Sequence, residues 1–235
     1  MVVYAVGDVH GELALLERLL DRIAEDRAGN AAGLDAVLVF LGDYVDRGPD
    51  SRGVMDWIAA GVTADCVVRC LLGNHEQAML RFLDDPSNAG PWLAFGGLST
   101  LASYGVEGIA DAGNPTHHPR LRDELLQRLP PAHLECLRRL EPWAVYGDYG
   151  FVHAGIKPGR PIAGQSLDDL LWIRKPFLNS RARFEKVIVH GHTIVPAPQI
   201  LNNRIAVDTG AYATGVLSAV ALQADRVRVL QATRR

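Results

Sequence analysis

Three times in its first 85 residues the chain repeats one plan: an apolar run, a short polar signature, and then apolar residues at helical spacing. VVYAV leads to GDVHG and ELALLERLLDRIAED, AVLVFL leads to GDYVDRGPDS and SRGVMDWIAAG, and CVVRCLL leads to GNHE and EQAMLRFLDD. Apolar strands alternating with helices predict an α/β fold whose strands are buried and largely parallel. Leu13, Leu16, Leu20 and Ile23 recur at the period expected of an amphipathic helix. Each signature falls where a strand ends, and open α/β sheets hold ligands outside the carboxyl ends of their strands. Three loops are therefore predicted to reach one place.

That arrangement raises a question of energy at Asp43. A carboxylate at the end of a buried strand is costly unless a cation, hydrogen bonds or a metal ion compensates it. Asp8 and His10 pose the same question, since one intervening residue in extended or turning backbone lets both side chains point the same way.

Between residues 86 and 141 the pattern turns loop-rich and helical, with Leu121, Leu125, Leu129, Leu134, Leu137 and Leu140 as core positions. This block is predicted to form a helical cap beside the site. Beyond it, PWAVYGDYGFVHAG, KVIVHGHT, RIAVDTG, VLSAVAL and RVRVL read as short, closely spaced strands. That spacing predicts antiparallel pairing in a second sheet, distinct from the first. The length of 235 residues fits a single domain over 1–235 with a substantial core.

Several classes are disfavoured. The net charge is -3 and no long run gathers Lys and Arg, so no nucleic-acid groove is indicated. The closing RVRVLQATRR is expected to be a solvated terminus. Cys66, Cys70 and Cys136 are odd in number and form no CxxC pair, which argues against a disulfide framework or a structural zinc site. Cys66 and Cys70 are expected as buried thiols of a core strand in a reducing compartment. No run approaches the ~18–20 apolar residues of a membrane span, and MVVYAVGDVHG lacks the features of a signal peptide. The expected location is the cytoplasm, with neither membrane nor nucleic acid as partner; the sequence assigns no oligomeric state.

The polar residues at strand ends form an ordered set: Asp8 and His10, Asp43 and Asp46, Asn74 and His75, His153, His190 and His192. Oxygen and imidazole donors without thiolate suit manganese, iron or zinc, and the number of donors predicts a two-metal site.

GDVHG, GDYVDRG, GNHE, VHAG and VHGHT together resemble the metal-dependent phosphoprotein phosphatase family within the calcineurin-like metallophosphoesterases, and are similar to its small bacterial and phage members. The resemblance runs from Asp8 to Gly210 and is weakest over 86–141. It implies a four-layer α-β-β-α sandwich of two mixed sheets, and two divalent cations, manganese first with iron or zinc as alternatives. Asp8 and His10 are implied ligands of one cation and Asn74, His153 and His192 of the other, with Asp43 shared by both. Shared cations would answer the question of Asp43. The resemblance further implies that Arg47, Asn74 and Arg174 hold phosphate, that His75 donates a proton to the leaving oxygen, and that Asp46 orients His75. The implied reaction is phosphomonoester hydrolysis by in-line attack of a water shared between the cations.

Phosphoserine and phosphothreonine in proteins are the substrates first expected, with small phosphoesters such as dinucleoside tetraphosphates as the alternative. Tetraphosphatase relatives commonly lack the aspartate found here at 46. Departures from the family also matter: HAG stands where eukaryotic members read HGG, and Ile194 occupies the place of a further metal histidine in the wider superfamily. His190 stays without an assigned role. His117, His118 and His133 are expected at the surface, Trp172 in packing, and Asp208 and Tyr212 in support of the site.

Overall fold

The computed structural model describes residues 1–61 and 66–234. Ten strands form, in chain order β1 (Val2–Val6), β2 (Ala36–Phe40), β3 (Val67–Cys70), β4 (Trp143–Tyr146), β5 (Tyr149–Val152), β6 (Val187–His190), β7 (Gln199–Ile200), β8 (Arg204–Ala206), β9 (Val216–Gln223) and β10 (Arg226–Thr233), all among the described residues. The helices are α1 (Leu13–Asn30), α2 (Ser51–Ala60), α3 (Asn74–Asp84), α4 (Ala89–Trp92), α5 (Leu98–Ser103), α6 (His118–Arg128), α7 (Pro131–Arg139), α8 (Leu167–Trp172), α9 (Lys175–Leu178) and α10 (Ala211–Thr214). No described helix is long and apolar enough to cross a membrane.

The strands divide into two five-stranded mixed sheets, ordered β10-β9-β1-β2-β3 and β4-β5-β6-β8-β7. β1, β2 and β3 pair in parallel, as the repeated plan predicts. Every residue of β1 and β2 is buried, so alternate side chains must serve two apolar layers. Val2, Tyr4, Val6, Leu38 and Phe40 face the helices, packing with Leu15, Leu16, Leu19 and Ile23 of α1. Val3, Ala5, Val37 and Val39 face the other sheet and meet Phe151, Val189 and Ile205. On the outer face of that sheet, Val152 and Ile188 pack under Leu170 of α8 and Phe177 of α9. The result is the α-β-β-α sandwich. Full burial of a Leu or Ile contributes roughly 1.5–3 kcal/mol, so these three layers of contact hold the sheets rigid beneath the loops.

Helix ends follow local chemistry. Asp50 caps α2, its carboxylate accepting from Gly53 N at 2.8 Å, and Gly61 closes it in the left-handed region. The expected core of the 86–141 segment is present: Leu121, Leu125, Leu129 and Leu137 are buried, and Leu134 and Leu140 partly so. Together with Trp92 and Tyr104 they join the helical layer of the first sheet, and the α4–α5 stretch alone turns toward the site.

Several expectations are corrected. The segments VLSAVAL and RVRVL do not extend the second sheet; β9 returns to pair antiparallel with β1 of the first, and β10 pairs with β9. Within the second sheet β5, β6 and β8 are parallel, and only β4 and β7 run against their neighbours. Short spacing did not mean hairpins, because compact loops carry the crossovers.

RVRVLQATRR is an edge strand rather than a solvated terminus: Arg228 grips buried Asp26 of α1 by two 2.8 Å bonds, and Arg234 pairs with Glu12. Arg235 lies outside the described residues, as does Asp65 at the predicted start of β3. Cys66 and Cys70 are only partly buried, because β3 is also a sheet edge. His118 and His133 are buried, not exposed. His118 Nε2 meets Ala112 O at 2.9 Å, and His133 bridges Tyr104 and Asp56 at 2.9 Å each. A ring nitrogen on each side makes histidine as serviceable inside a helical layer as on its surface. His117 is half-buried.

Candidate metal centre

All the predicted site residues stand at the carboxyl ends of strands or in the loops that follow. Asp8 and His10 follow β1, Asp43, Asp46 and Arg47 follow β2, Asn74 and His75 open α3 after β3, His153 follows β5, and His192 lies just beyond β6. They surround a cavity of about 400 Å³, with Arg47 and Arg174 at its rim. His153 lies deeper, fully buried.

The loops meet because their backbones touch. A Cβ at Gly42, where φ is +100, would stand 2.7 Å from Gly73 N and Cα, so the loops after β2 and β3 approach closely only through glycine. Glu76 then clamps them: its carboxylate accepts from the N–H groups of Asp43 (2.9 Å), Tyr44 (2.7 Å), Val45 (3.2 Å) and Gly73 (3.0 Å). The GNHE signature contained this residue, but nothing in its spacing revealed that it binds another loop.

Strain is concentrated here. Six described non-glycine residues have positive φ, and five of them are His10, Asp43, Asp46, Arg47 and His192. Such conformations are uncommon outside glycine and persist only where surrounding contacts impose them, which is characteristic of functional sites.

Asp43 gathers imidazoles. Its Oδ1 lies 3.4 Å from His153 Nε2, and its Oδ2 lies 3.6 Å from His10 Nε2 and 3.8 Å from His75 Nε2. Asn74 Oδ1 is 2.8 Å from His153 Nε2 and 2.9 Å from His192 Nδ1. Asp8 accepts from the N–H of His192 at 3.0 Å.

The protons on two of these rings are fixed from behind. His10 Nδ1 faces Val45 O at 2.9 Å, and His153 Nδ1 faces Leu41 O at 2.8 Å. Carbonyl oxygens only accept, so each Nδ1 carries the proton. Burial pulls His10 down to about 3, against the opposing pull of Asp43, and also lowers His153. Both rings are therefore neutral and present Nε2 lone pairs to carboxylate oxygens. Acceptors facing acceptors in a buried site are reconciled by a cation, and ligand histidines held by a backbone carbonyl are the usual supporting arrangement. Burial likewise brings His192 down to about 2. Asp8 is driven well above the carboxylate range by burial and then by Asp208 and Asp43. The donor set fits two divalent cations joined at Asp43, which belongs to both the His10 and the His153–His192 cluster.

His75 also lies close enough to count as a ligand of the first cluster. Its other nitrogen decides otherwise. His75 Nδ1 is 2.7 Å from Asp46 Oδ2. Burial alone would lower its pKa, but Asp43 and Asp46 outweigh it and hold His75 above the ordinary histidine value. A ring that keeps both protons is a donor, not a ligand.

Asp46 is fully buried and fed by Thr100 Oγ1 at 2.6 Å and Trp92 Nε1 at 3.1 Å. Trp92 and Thr100 belong to PWLAFGGLST, where no periodicity marked them. Arg47 Nη1 donates to Tyr212 Oη at 2.6 Å, and its guanidinium lies 4.7 Å from that ring. Tyr212 packs edge-on to His10. Arg174 donates to Thr193 Oγ1 at 3.0 Å.

Asp208 lines the cavity, its pKa raised to about 6 by burial and by Asp43. Trp172, expected in packing, donates to Gln77 at 3.1 Å but also walls the cavity beside Phe95. His190 is a core residue, buried edge-on against Phe177, and does not reach the cavity.

The calcineurin-like phosphoesterase family model matches residues 1–222. Among curated proteins, an asymmetrical bis(5'-nucleosyl)-tetraphosphatase of Anoxybacillus flavithermus is 27% identical over 94% of this chain and 90% of its own. A symmetrical bis(5'-nucleosyl)-tetraphosphatase of Acidovorax is 34% identical over 67% of this chain and 45% of its own. Among solved structures, a diadenosine tetraphosphatase crystal structure superposes with TM-score 0.65 at 21% identity, covering 100% of this chain and 95% of the other. A protein serine/threonine phosphatase of Saccharomyces cerevisiae gives TM-score 0.55 at 14% identity, over 100% and 80%. These two likenesses bear on the fold.

Proposed function

The chain belongs to the calcineurin-like phosphoesterases and is a metal-dependent phosphoester hydrolase; from that premise we propose that it cleaves phosphate linkages in nucleoside polyphosphates of the dinucleoside tetraphosphate class. The whole chain, 1–235, acts as one catalytic domain in this reading. Asp8, His10 and Asp43 hold one cation, and Asp43, Asn74, His153 and His192 the other; manganese suits this oxygen and nitrogen set, as do iron and zinc. Bound there, the cations supply charge for phosphate oxygens and lower the pKa of water.

The chain's own residues do the rest. Arg47 and Arg174, facing each other across the opening, clamp phosphate oxygens with planar donors. Asn74 presents its amide beside them. His75, kept protonated by Asp46, gives its Nε2 proton to the oxygen that leaves as water attacks phosphorus from the opposite side. The single observation that carries a hydrolytic centre is this dyad, a buried carboxylate and a proton-rich imidazole aimed into a cavity lined by neutral imidazoles. The cysteines take no part; three free thiols suit a reducing cytoplasm.

For the substrate, the walls count. Phe95 and Trp172 offer aromatic faces in the cavity where a nucleobase stacks, and the tetraphosphatase relatives support that choice. Hydrolysis of phosphoserine or phosphothreonine in proteins is the second reading, favoured by Asp46, which tetraphosphatase motifs commonly lack. Purified enzyme loaded in turn with Mn²⁺, Zn²⁺ and Fe²⁺ should release phosphate from p-nitrophenyl phosphate. It should hydrolyse diadenosine tetraphosphate with a higher kcat/KM than a phosphoserine peptide. The reverse order would establish the second reading, and inactivity toward all three would sink both.

A further inference from the structure

A second cavity, about 700 Å³ and larger than the metal cavity, opens where β6 and β8 begin. Those strands end at the metal centre, so the two cavities lie at opposite ends of the second sheet. Ligand pockets run from ~300 to 1,000 Å³, and this one falls within that range.

Its charge is unbalanced. Arg181, Arg183, Lys186 and Arg204 line it against the carboxylates of Asp148 and Glu185, leaving it net positive on a chain of net charge -3. Among the described residues none of the four cations forms an ion pair with a carboxylate. Lys186 Nζ donates to Gly147 O at 2.8 Å. Arg204 stands half-buried over the Phe177 ring at 5.9 Å, where burial holds its guanidinium below its ordinary pKa. Glu185 does not neutralise the cluster, because it accepts from Ile162 N at 2.8 Å.

The arginines are not on a loose loop. Asn203 Nδ2 donates to Ser180 O at 3.0 Å and to Ala182 O at 2.8 Å, tying the segment that bears Arg181 and Arg183 across the entry to β8. Beside the cations is an apolar wall: Ile200 and Leu201 are exposed, with relative accessibilities of 49% and 44%, and Phe184 is half-buried next to them. Like charges held together without counterions repel, and guanidinium forks match phosphate oxygens bidentately. A ligand that carries several phosphate charges and one flat, weakly polar group satisfies both walls.

We propose that this cavity is a second ligand site, separate from the metal centre, that binds a nucleoside polyphosphate with phosphates on Arg181, Arg183 and Arg204 and the base against Ile200 and Leu201. The proposal does not depend on which substrate the metal centre hydrolyses.

The test is calorimetric titration of the manganese-loaded full chain with β,γ-imido-ATP and, separately, inorganic tripolyphosphate. The comparison is the double variant Arg181→Glu/Arg183→Glu, whose changes lie on exposed side chains. The variant should lose one equivalent of bound nucleotide, or bind it at least tenfold more weakly, while turnover of p-nitrophenyl phosphate is unchanged. Unchanged stoichiometry and affinity in the variant would overturn the site. Equal affinity of the wild type for tripolyphosphate and the nucleotide would overturn the nucleotide assignment. The unchanged turnover keeps failure here distinct from failure at the metal centre.

Discussion

Asp46→Asn tests the dyad most sharply. The wild-type carboxylate takes donors from His75, Thr100 and Trp92 on two oxygens. Asparagine keeps one oxygen, which Thr100 and Trp92 can share, and turns an NH₂ toward His75. The ring must then accept at Nδ1, so it stays neutral with a single proton on Nε2, a far weaker acid than an imidazolium. Replacing charge-assisted hydrogen bonds, roughly 1.5–3 kcal/mol each, by neutral ones near 1 kcal/mol predicts a stability loss of about 1–2 kcal/mol.

The kinetic loss is larger and depends on the leaving group. A poor leaving group, such as an alkyl phosphate, needs the proton and should lose the ~10²–10⁴ of an absent general acid. p-Nitrophenolate departs without one, so its release should fall only a few-fold. Asp46 does not line the metal cavity, so metal content should be unaffected. Steady-state kinetics on the two leaving-group classes, with elemental analysis and urea unfolding, read all three quantities. Equal slowing of both substrates, or loss of metal, would refute the reasoning.

Four further outcomes follow from named contacts. Tyr212→Phe removes the acceptor that steadies exposed Arg47, worth about 1 kcal/mol, and should raise KM several-fold with kcat nearly unchanged; a fall confined to kcat would contradict a positioning role. Asp43→Asn should lower bound metal at both positions, read by elemental analysis of dialysed protein, and loss of only one equivalent would refute sharing. Gly42→Ala should abolish metal binding or folding, because its Cβ meets backbone at 2.7 Å; a fully active variant would refute the close loop approach. Asp26 is held below the carboxylate range by Arg228, with burial opposing; its stabilisation is full above the unfolded value near ~4 and disappears as pH falls through the folded one. Asp26→Asn should therefore lower the urea midpoint at pH 7 and converge with wild type near pH 3; equal deficits at both pH values would contradict the linkage.

What the sequence disclosed and what it hid divide along chemical lines. Ligand residues are legible because strand ends, glycine and Asp/His chemistry coincide at Asp8, Asp43, Asn74 and His153. β1, β2 and the α1 face are legible because burial on both sides of a strand, or on one side of a helix, writes itself into hydrophobic period. The sheet membership of β9 and β10 is not, because an apolar strand carries no label for its partner: Ala219 and Val220 would fill either sheet equally well, and only the crossover back to β1 decides. Burial of His133 was hidden for a related reason, since the tyrosine and aspartate that satisfy it lie far away in the chain.

The same limit explains the supporting residues of the centre. Trp92 and Thr100 reach Asp46 across about half a hundred positions, and Glu76 reaches the Asp43 loop across more than thirty. A ligand can be inferred from its own loop because coordination needs its donor atom, but the groups that fix a proton or a loop can come from any element that packs close enough. Leu41 and Val45 do this through backbone carbonyls, which every residue possesses, so no side chain at those positions could have announced that they set the tautomers of His153 and His10. Sequence motifs thus identify what the centre holds. Which proton each imidazole keeps, and therefore which histidine binds metal and which donates, is decided by the packing behind it.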